Sequence, residues 1–176
     1  MDYRGYGTSS KFETTAASTR KDAQAAFDYL VQVRHTAAHK VVIFGWSIGS
    51  GVATQLASDR PDAGGLILLS PITSLSDVGN NASWLFRYVL RPAQWLRHDN
   101  DFANEAKISS VHMPLLLMSG SEDTLAPPWM AKRLYDRANE PKALYSLQGA
   151  GHADAMTKTP QAFLARLKLF LESFDS

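Results

Sequence analysis

The chain has 176 residues, 45% of them hydrophobic, with 18 basic and 17 acidic side chains and a formal net charge of +1. That length reads as one domain, residues 1–176, with enough chain to bury a core. The near-balanced charge gives no electrostatic case for nucleic acid or an anionic membrane, no apolar run approaches the ~18 residues of a membrane span, and the lack of cysteine excludes disulfides and cysteine catalysis.

The opening Asp2-Tyr3-Arg4-Gly5-Tyr6-Gly7-Thr8-Ser9 is loop-like and has no apolar stretch behind it, so it does not resemble a signal peptide. The cytoplasm is therefore the default expectation, to be revised if an upstream segment carries a signal or anchor. Thr14 to Arg34 reads as a helix with Ala17, Ala23, Ala26, Phe27, Leu30 and Val31 as its apolar stripe and Ser18 or Thr19 as its cap. A polar link leads to a strand, Val41 to Trp46, and a helix then runs to about Ser58. Gly65 to Ser70 is a second strand, stopped by Pro71. Thr73 to Asn81 reads as a loop, and Ala82 to about Arg97 as a helix kinked at Arg91-Pro92. Residues 76–102 form a candidate lid. Pro114 to Gly120 is a third strand. Pro127-Pro128 opens a helix to Arg137, because a proline at a helix start sacrifices only an N–H that is unpaired anyway. Ala143 to Leu147 is a fourth strand. The last helix spans Thr159 to Phe174, with Phe163, Leu164, Leu167 and Phe170 on one face.

Strands alternate with helices, and the strands read as continuous apolar runs rather than alternating ones. This predicts an α/β fold, a mostly parallel sheet with helices on both faces.

The chemistry concentrates after the strands, where open parallel sheets place their sites. The first strand runs into Gly45-Trp46-Ser47-Ile48-Gly49, a G-x-S-x-G between strand and helix. That context makes Ser47 a nucleophile on a tight turn, with Gly45 and Gly49 expected where a Cβ would crowd it. The Ile48 N–H, at the positive end of the following helix, is placed to receive an oxyanion. The bland alternative is a glycine-rich turn with an incidental serine. Gly120-Ser121-Glu122-Asp123 follows the third strand and Gly149-Ala150-Gly151-His152 the fourth. Ser, Asp, His is the chain order of an α/β-hydrolase. In that reading His152 is the base, and Asp123 orients it in preference to Glu122. Asp123 as a turn residue and His152 as a loop histidine are the competing accounts. His35, His39, His98 and His112 suggest no metal site. Trp46, Trp84 and Trp129 are candidate pocket walls, with core packing as the plainer role.

Five motifs carry a resemblance: D-Y-R-G-Y-G at Asp2–Gly7, G-W-S-I-G at Gly45–Gly49, S-P-I-T-S-L at Ser70–Leu75, G-S-E-D-T-L-A-P-P at Gly120–Pro128 and G-A-G-H-A-D at Gly149–Asp154. Together they resemble the α/β-hydrolase superfamily. The nearest branch is the protein-depalmitoylase-like and bud-emergence-type serine hydrolases, with serine aminopeptidase-like hydrolases close behind. The resemblance implies cofactor-free hydrolysis of a carboxylic ester, thioester or amide, on a small-molecule or acylated substrate, through an acyl-enzyme. It maps the triad onto Ser47, Asp123 and His152 and an oxyanion donor onto Ile48. A peptidase, a perhydrolase, or a non-catalytic remnant serving as an interaction module are the alternatives.

In the family, D-x-R-G-x-G follows a strand deep in the domain, after several strands and an H-G-type loop that supplies the second oxyanion N–H. The resemblance thus implies the C-terminal two-thirds of such a domain: a truncated chain, one begun at an internal methionine codon, or one completed by another chain. Two expectations follow. A missing donor costs ~10²–10³ in turnover, and the strand at Val41 becomes an exposed apolar edge open to self-association.

Overall fold

Gly65-Leu66-Ile67-Leu68-Leu69 is apolar at every position, so both faces of the strand it forms need cover. The computed structural model, which describes residues 2–9, 14–81 and 102–174, supplies it. This strand, β2 (Gly65–Leu69), and β3 (Leu115–Gly120) are buried throughout. They lie between β1 (Val42–Trp46) and β4 (Lys142–Leu147) in the order β1-β2-β3-β4, and every pairing is parallel.

Alternate side chains of β2 enter different cores. Leu66 and Leu68 pack with Phe27 of α1 (Ala16–Asp28), Ala53 and Ala57 of α2 (Gly49–Asp59), and Leu134 of α5 (Pro128–Arg137). Ile67 and Leu69 pack on the opposite face with Phe163 of α7 (Pro160–Glu172). A fully buried side chain of this kind contributes roughly 1.5–3 kcal/mol, which holds the central strands as the rigid floor of the molecule. The expected α/β architecture, with helices on both faces of a parallel sheet, is thus present.

Local differences have local causes. The cap of α1 is Thr15 rather than Ser18 or Thr19. Thr15 Oγ1 accepts from the Ser18 N–H at 3.1 Å and Ser18 Oγ accepts from the Thr15 N–H at 2.8 Å, a reciprocal capping box that makes Ser18 the third helical residue. Thr19 Oγ1 instead donates to Ala16 O. The expected loop at 73–81 contains a helix, α3 (Leu75–Asn81). Ser74 Oγ accepts from the Asp77 N–H at 3.0 Å, and Leu75 is buried against Ile72 and Phe102, so a cap and one anchor overcome a polar, glycine-containing sequence. Two short helices, α4 (Asn104–Lys107) and α6 (Ala155–Lys158), were not expected. Leu164 does not share the buried face of α7; it is 58% exposed, while Phe163, Leu167 and Phe170 face the sheet. The expected helix at 82–97, most of the lid at 76–102, and Trp84 lie outside the described residues.

β1 is an edge of this four-stranded sheet, as expected of the strand at Val41. Phe44 is 47% exposed there. Beside it a groove of about 180 Å³ runs between α1 and β1, lined by Tyr3, Ala26, Leu30, Val42, Phe44 and Leu56 among others. Arg4 fastens the opening loop over α1, with Nε donating to Asp22 Oδ1 at 2.9 Å. An unpaired edge with an apolar flank is a template for pairing, and a charge placed on it opposes pairing. We propose that a second copy pairs at this edge, so Phe44→Lys is expected to lower concentration-dependent self-association, and a wild type that stays monomeric overturns the proposal. Sedimentation velocity over a hundredfold concentration range checks this; unchanged association in the variant places the contact elsewhere.

Candidate active site

The turn after β1 is built by one close approach. A Cβ on Gly45 would lie 2.5 Å from Ala53 Cβ and 2.9 Å from Gly49 O, so only glycine lets α2 fold back against β1. Gly49 does not share this constraint: nothing lies within 4 Å of where its Cβ would be. The expectation that both glycines relieve crowding holds for Gly45 alone. Between them Ser47 adopts φ +54°, a left-handed conformation that a non-glycine residue keeps only when its surroundings impose it. The surroundings are visible. The Ser47 N–H donates to Leu69 O at 3.0 Å, and Ser47 O accepts from the Ser50 N–H at 2.9 Å as α2 begins. Among the described residues the Ile48 N–H has no acceptor, so it is open at the start of the helix.

Two further turns reach this point. Asp123 follows β3, and its side chain is fully buried. Its Oδ1 accepts from the Leu125 and Ala126 N–H groups at 3.0 and 2.8 Å, which compensates the burial of a carboxylate. His152 follows β4, its Nδ1 2.9 Å from Asp123 Oδ2 and its Nε2 2.8 Å from Ser47 Oγ. An ionised carboxylate only accepts, so it draws the imidazole hydrogen to Nδ1 and leaves Nε2 as the acceptor for the serine hydroxyl. The structure thus joins Ser47, His152 and Asp123 in one hydrogen-bonded chain. Glu122 is exposed; its N–H donates to Ala150 O at 2.9 Å and its carboxylate acts electrostatically on Lys158, away from the Ser47–His152–Asp123 chain.

A family model described as Serine aminopeptidase, S33 (Hydrolase_4) matches residues 1–111. The chain belongs to this α/β-hydrolase family. Among curated relatives, the uncharacterized protein Rv2307c of Mycobacterium tuberculosis is 34% identical over 97% of this chain and 58% of its own length. Human alpha/beta hydrolase domain-containing protein 17B is 30% identical over 97% of this chain and 54% of its own. The lysophosphatidylserine lipase ABHD12 of Danio rerio is 33% identical over 82% and 40%. The chain thus spans little more than half the length of the first of these relatives. Among solved structures, the Pyrococcus furiosus esterase Pf2001 superposes with a TM-score of 0.78 at 21% identity, covering 99% of this chain and 69% of the esterase. At that identity the likeness is one of fold.

Other hydrolase-site expectations are distributed differently. Trp46, 40% exposed, donates its indole N–H to His152 O at 3.3 Å, and its ring lies 6.3 Å from the imidazole. It braces the histidine loop from the strand. Trp129 is 39% exposed under the Arg133 guanidinium, and neither tryptophan lines the α1–β1 groove. Among the described residues no cluster of three or more His, Asp or Glu side chains forms a metal site, and no helix is long and apolar enough to cross a membrane.

Three features escaped the sequence reading. Gly120 admits the histidine loop, since a Cβ there would fall 2.3 Å from Ala150 O. Ser70, at the exit of β2, is fully buried with φ +45°, a strain that its S-P sequence does not announce. Asp154 ties down the histidine loop: Oδ1 accepts from the Gly151 N–H at 2.6 Å and Oδ2 lies 3.0 Å from Lys158 Nζ. The Lys158 hydrogen bond, then the Gly151 N–H, holds the Asp154 carboxyl below the usual aspartate range. An aspartate four residues before Lys158 is the only sequence signal, and it does not reveal this arrangement, because Asp154 only meets Gly151 once the loop is closed.

Two predictions follow from this geometry. Gly45→Ala is expected to destabilise by roughly 1–3 kcal/mol through forced displacement of α2, whereas Gly49→Ala stays near the wild-type melting temperature; equal shifts in thermal unfolding would contradict the asymmetry. For Asp154 the folded-state pKa is depressed, so its contribution is fully present above the unfolded value of about 3.9 and is lost as pH falls through the lower folded value. The stability advantage of wild type over Asp154→Asn should accordingly be flat from neutral pH to about pH 4–5 and shrink below it. Denaturant titrations across that range check the sign.

Proposed function

We propose that the chain carries the reaction centre of a serine hydrolase that cleaves a carboxylic ester or thioester through an acyl-enzyme on Ser47. The observation that carries this reading is the unbroken chain Ser47 Oγ, His152 Nε2, His152 Nδ1, Asp123 Oδ2, with contacts of 2.8 and 2.9 Å. The same three groups lie on the exits of three parallel strands, and the elbow strain at Ser47 supports the role.

The steps follow from the geometry. His152 Nε2 takes the Ser47 hydroxyl proton as Oγ bonds to the substrate carbonyl carbon. The oxyanion forms beside the Ile48 N–H and the N-terminus of α2. Its collapse breaks the bond to the alcohol or thiol, which departs with the proton returned by His152. Water then enters. His152 takes one of its protons while its oxygen attacks the acyl carbon, Ser47 Oγ leaves with that proton, and the acid is released. Asp123 stays ionised and stabilises the imidazolium throughout. No cofactor enters any step.

The lipase and esterase names of the similar proteins favour an ester. The family model's own description, serine aminopeptidase, favours an amide as the second reading. The shared fold does not choose between them. The half-buried His152–Ser47 pair, still partly open to solvent, suits a small-molecule or acylated substrate.

Exposure to a fluorophosphonate, followed by intact mass, is the direct test. One stoichiometric adduct on wild type and none on Ser47→Ala is expected, with hydrolytic turnover in the variant lowered by about 10⁴–10⁶. Turnover retained in Ser47→Ala overturns the proposal. Parallel rates on a p-nitrophenyl ester, an acyl thioester and a peptide anilide rank the substrate classes, and a rate on the anilide alone selects the second reading.

A further inference from the structure

Ser50 and Asn104 are 54 residues apart, both fully buried, and joined by a hydrogen bond. Ser50 belongs to the first turn of α2, where its N–H donates to Ser47 O at 2.9 Å. Its Oγ accepts from Asn104 Nδ2 at 2.8 Å and from the Ile72 N–H at 3.3 Å. Asn104 Nδ2 also donates to Ile72 O at 2.7 Å. A carbonyl oxygen only accepts, so the amide nitrogen must face Ile72 and the orientation of the Asn104 amide is settled by its partners. Both amide hydrogens are thereby used, one on the nucleophile's helix and one on the exit of β2.

The surroundings hold this clamp in place. The Glu105 N–H donates to Thr73 O at 3.2 Å. The Phe102 ring fills the space beside Gly51, where a Cβ would fall 2.8 Å from Phe102 Cδ1. Asn104 Oδ1 has no partner among the described residues, which is a cost. A leucine would fill similar space without that cost, so packing alone does not account for an asparagine.

We propose that Asn104 is a positioning residue for the nucleophile. It fixes the first turn of α2 against the segment Leu69–Ile72 and thereby sets where Ser47 Oγ and the Ile48 N–H stand relative to His152. That segment already holds the Ser47 N–H through Leu69 O, so the turn is fastened to the exit of β2 both before and after the serine. Asn104 touches no reacting atom and acts through Ser50. The proposal rests on the reading of Ser47 as nucleophile.

The test is the kinetics of fluorophosphonate labelling of Ser47 in wild type, Asn104→Ala, Ser50→Ala and the double variant. Near-UV circular dichroism and the final labelled fraction report folding. The maximal labelling rate constant is expected to fall about 10-fold or more in each single variant, with full final labelling and an unchanged half-saturating reagent concentration, because sub-ångström misplacement acts on the reactive geometry. The double variant should be no slower than the slower single one, since both changes cut the same link. A merely structural role would lower the labelled fraction and leave the rate constant of the folded molecules alone. Ser50→Ala removes only one hydroxyl from a helix, so it decides the matter if Asn104→Ala does not fold. Wild-type rate constants in the folded single variants, or losses that multiply in the double, overturn the proposal while the labelled wild type upholds the nucleophile. An unlabelled, folded wild type overturns both.

Discussion

The peptide between Leu69 and Ser70 is the fastening on which the site depends. Its carbonyl accepts the Ser47 N–H at 3.0 Å, and its N–H donates to Met118 O at 2.8 Å. One rigid unit at the end of a buried strand thus grips the serine turn on one side and β3, the strand that leads to Asp123, on the other. Peptide units are planar and do not yield easily, and β2 beneath this one is buried on both faces. The left-handed conformations of Ser47 and Ser70 flank that unit. Two strained residues side by side are maintained because the sheet below them over-determines their positions.

The histidine is placed by a different device. β4 lies at the far side of the sheet and is only partly buried, so the strand by itself is a looser support than β2. Its loop is held instead by contacts from several directions. Asp154 and Lys158 close it from within, Trp46 braces His152 O from β1, and the bare backbone of Gly120 lets the loop settle against β3. Asp123 completes the support through the imidazole itself. His152 is therefore located relative to both Asp123 and Ser47 by bonds that do not run through β4.

Much of this is legible in the amino-acid sequence. Continuous apolar strands separated by helical stretches lead directly to a parallel sheet, because a strand buried on both faces has no polar alternation to show. The exits of three such strands carried the residues that meet, since side chains just beyond strand ends of one sheet converge whatever the loops do. What stayed hidden was of another kind. The cap at Thr15 depends on which of four neighbouring hydroxyl residues finds a reciprocal partner, and α3 depends on Leu75 reaching a core that exists only after folding. Gly49 matched a pattern whose usual steric reason does not operate here, because α2 leaves open space at that position. Asn104 sits in a polar, unremarkable stretch, and nothing short of its three-dimensional neighbours distinguishes it from a surface asparagine.

The position of β1 explains why such a hidden residue matters. Among the described strands β1 is at the edge, with β2 as its one partner, so its end is restrained laterally from a single side. A turn held only there could pivot about the strand axis and swing Ser47 Oγ away from His152. The helix that follows resists this, but only if its own first turn is anchored, and Gly45 and Ala53 provide close contact rather than directional bonds. Directional restraint comes from the buried amide of Asn104, which meets Ser50 on one hand and Ile72 on the other. The polar cluster above α2 thus supplies the second point of attachment that an edge strand lacks, and it returns the load to the same exit of β2 that grips the serine backbone.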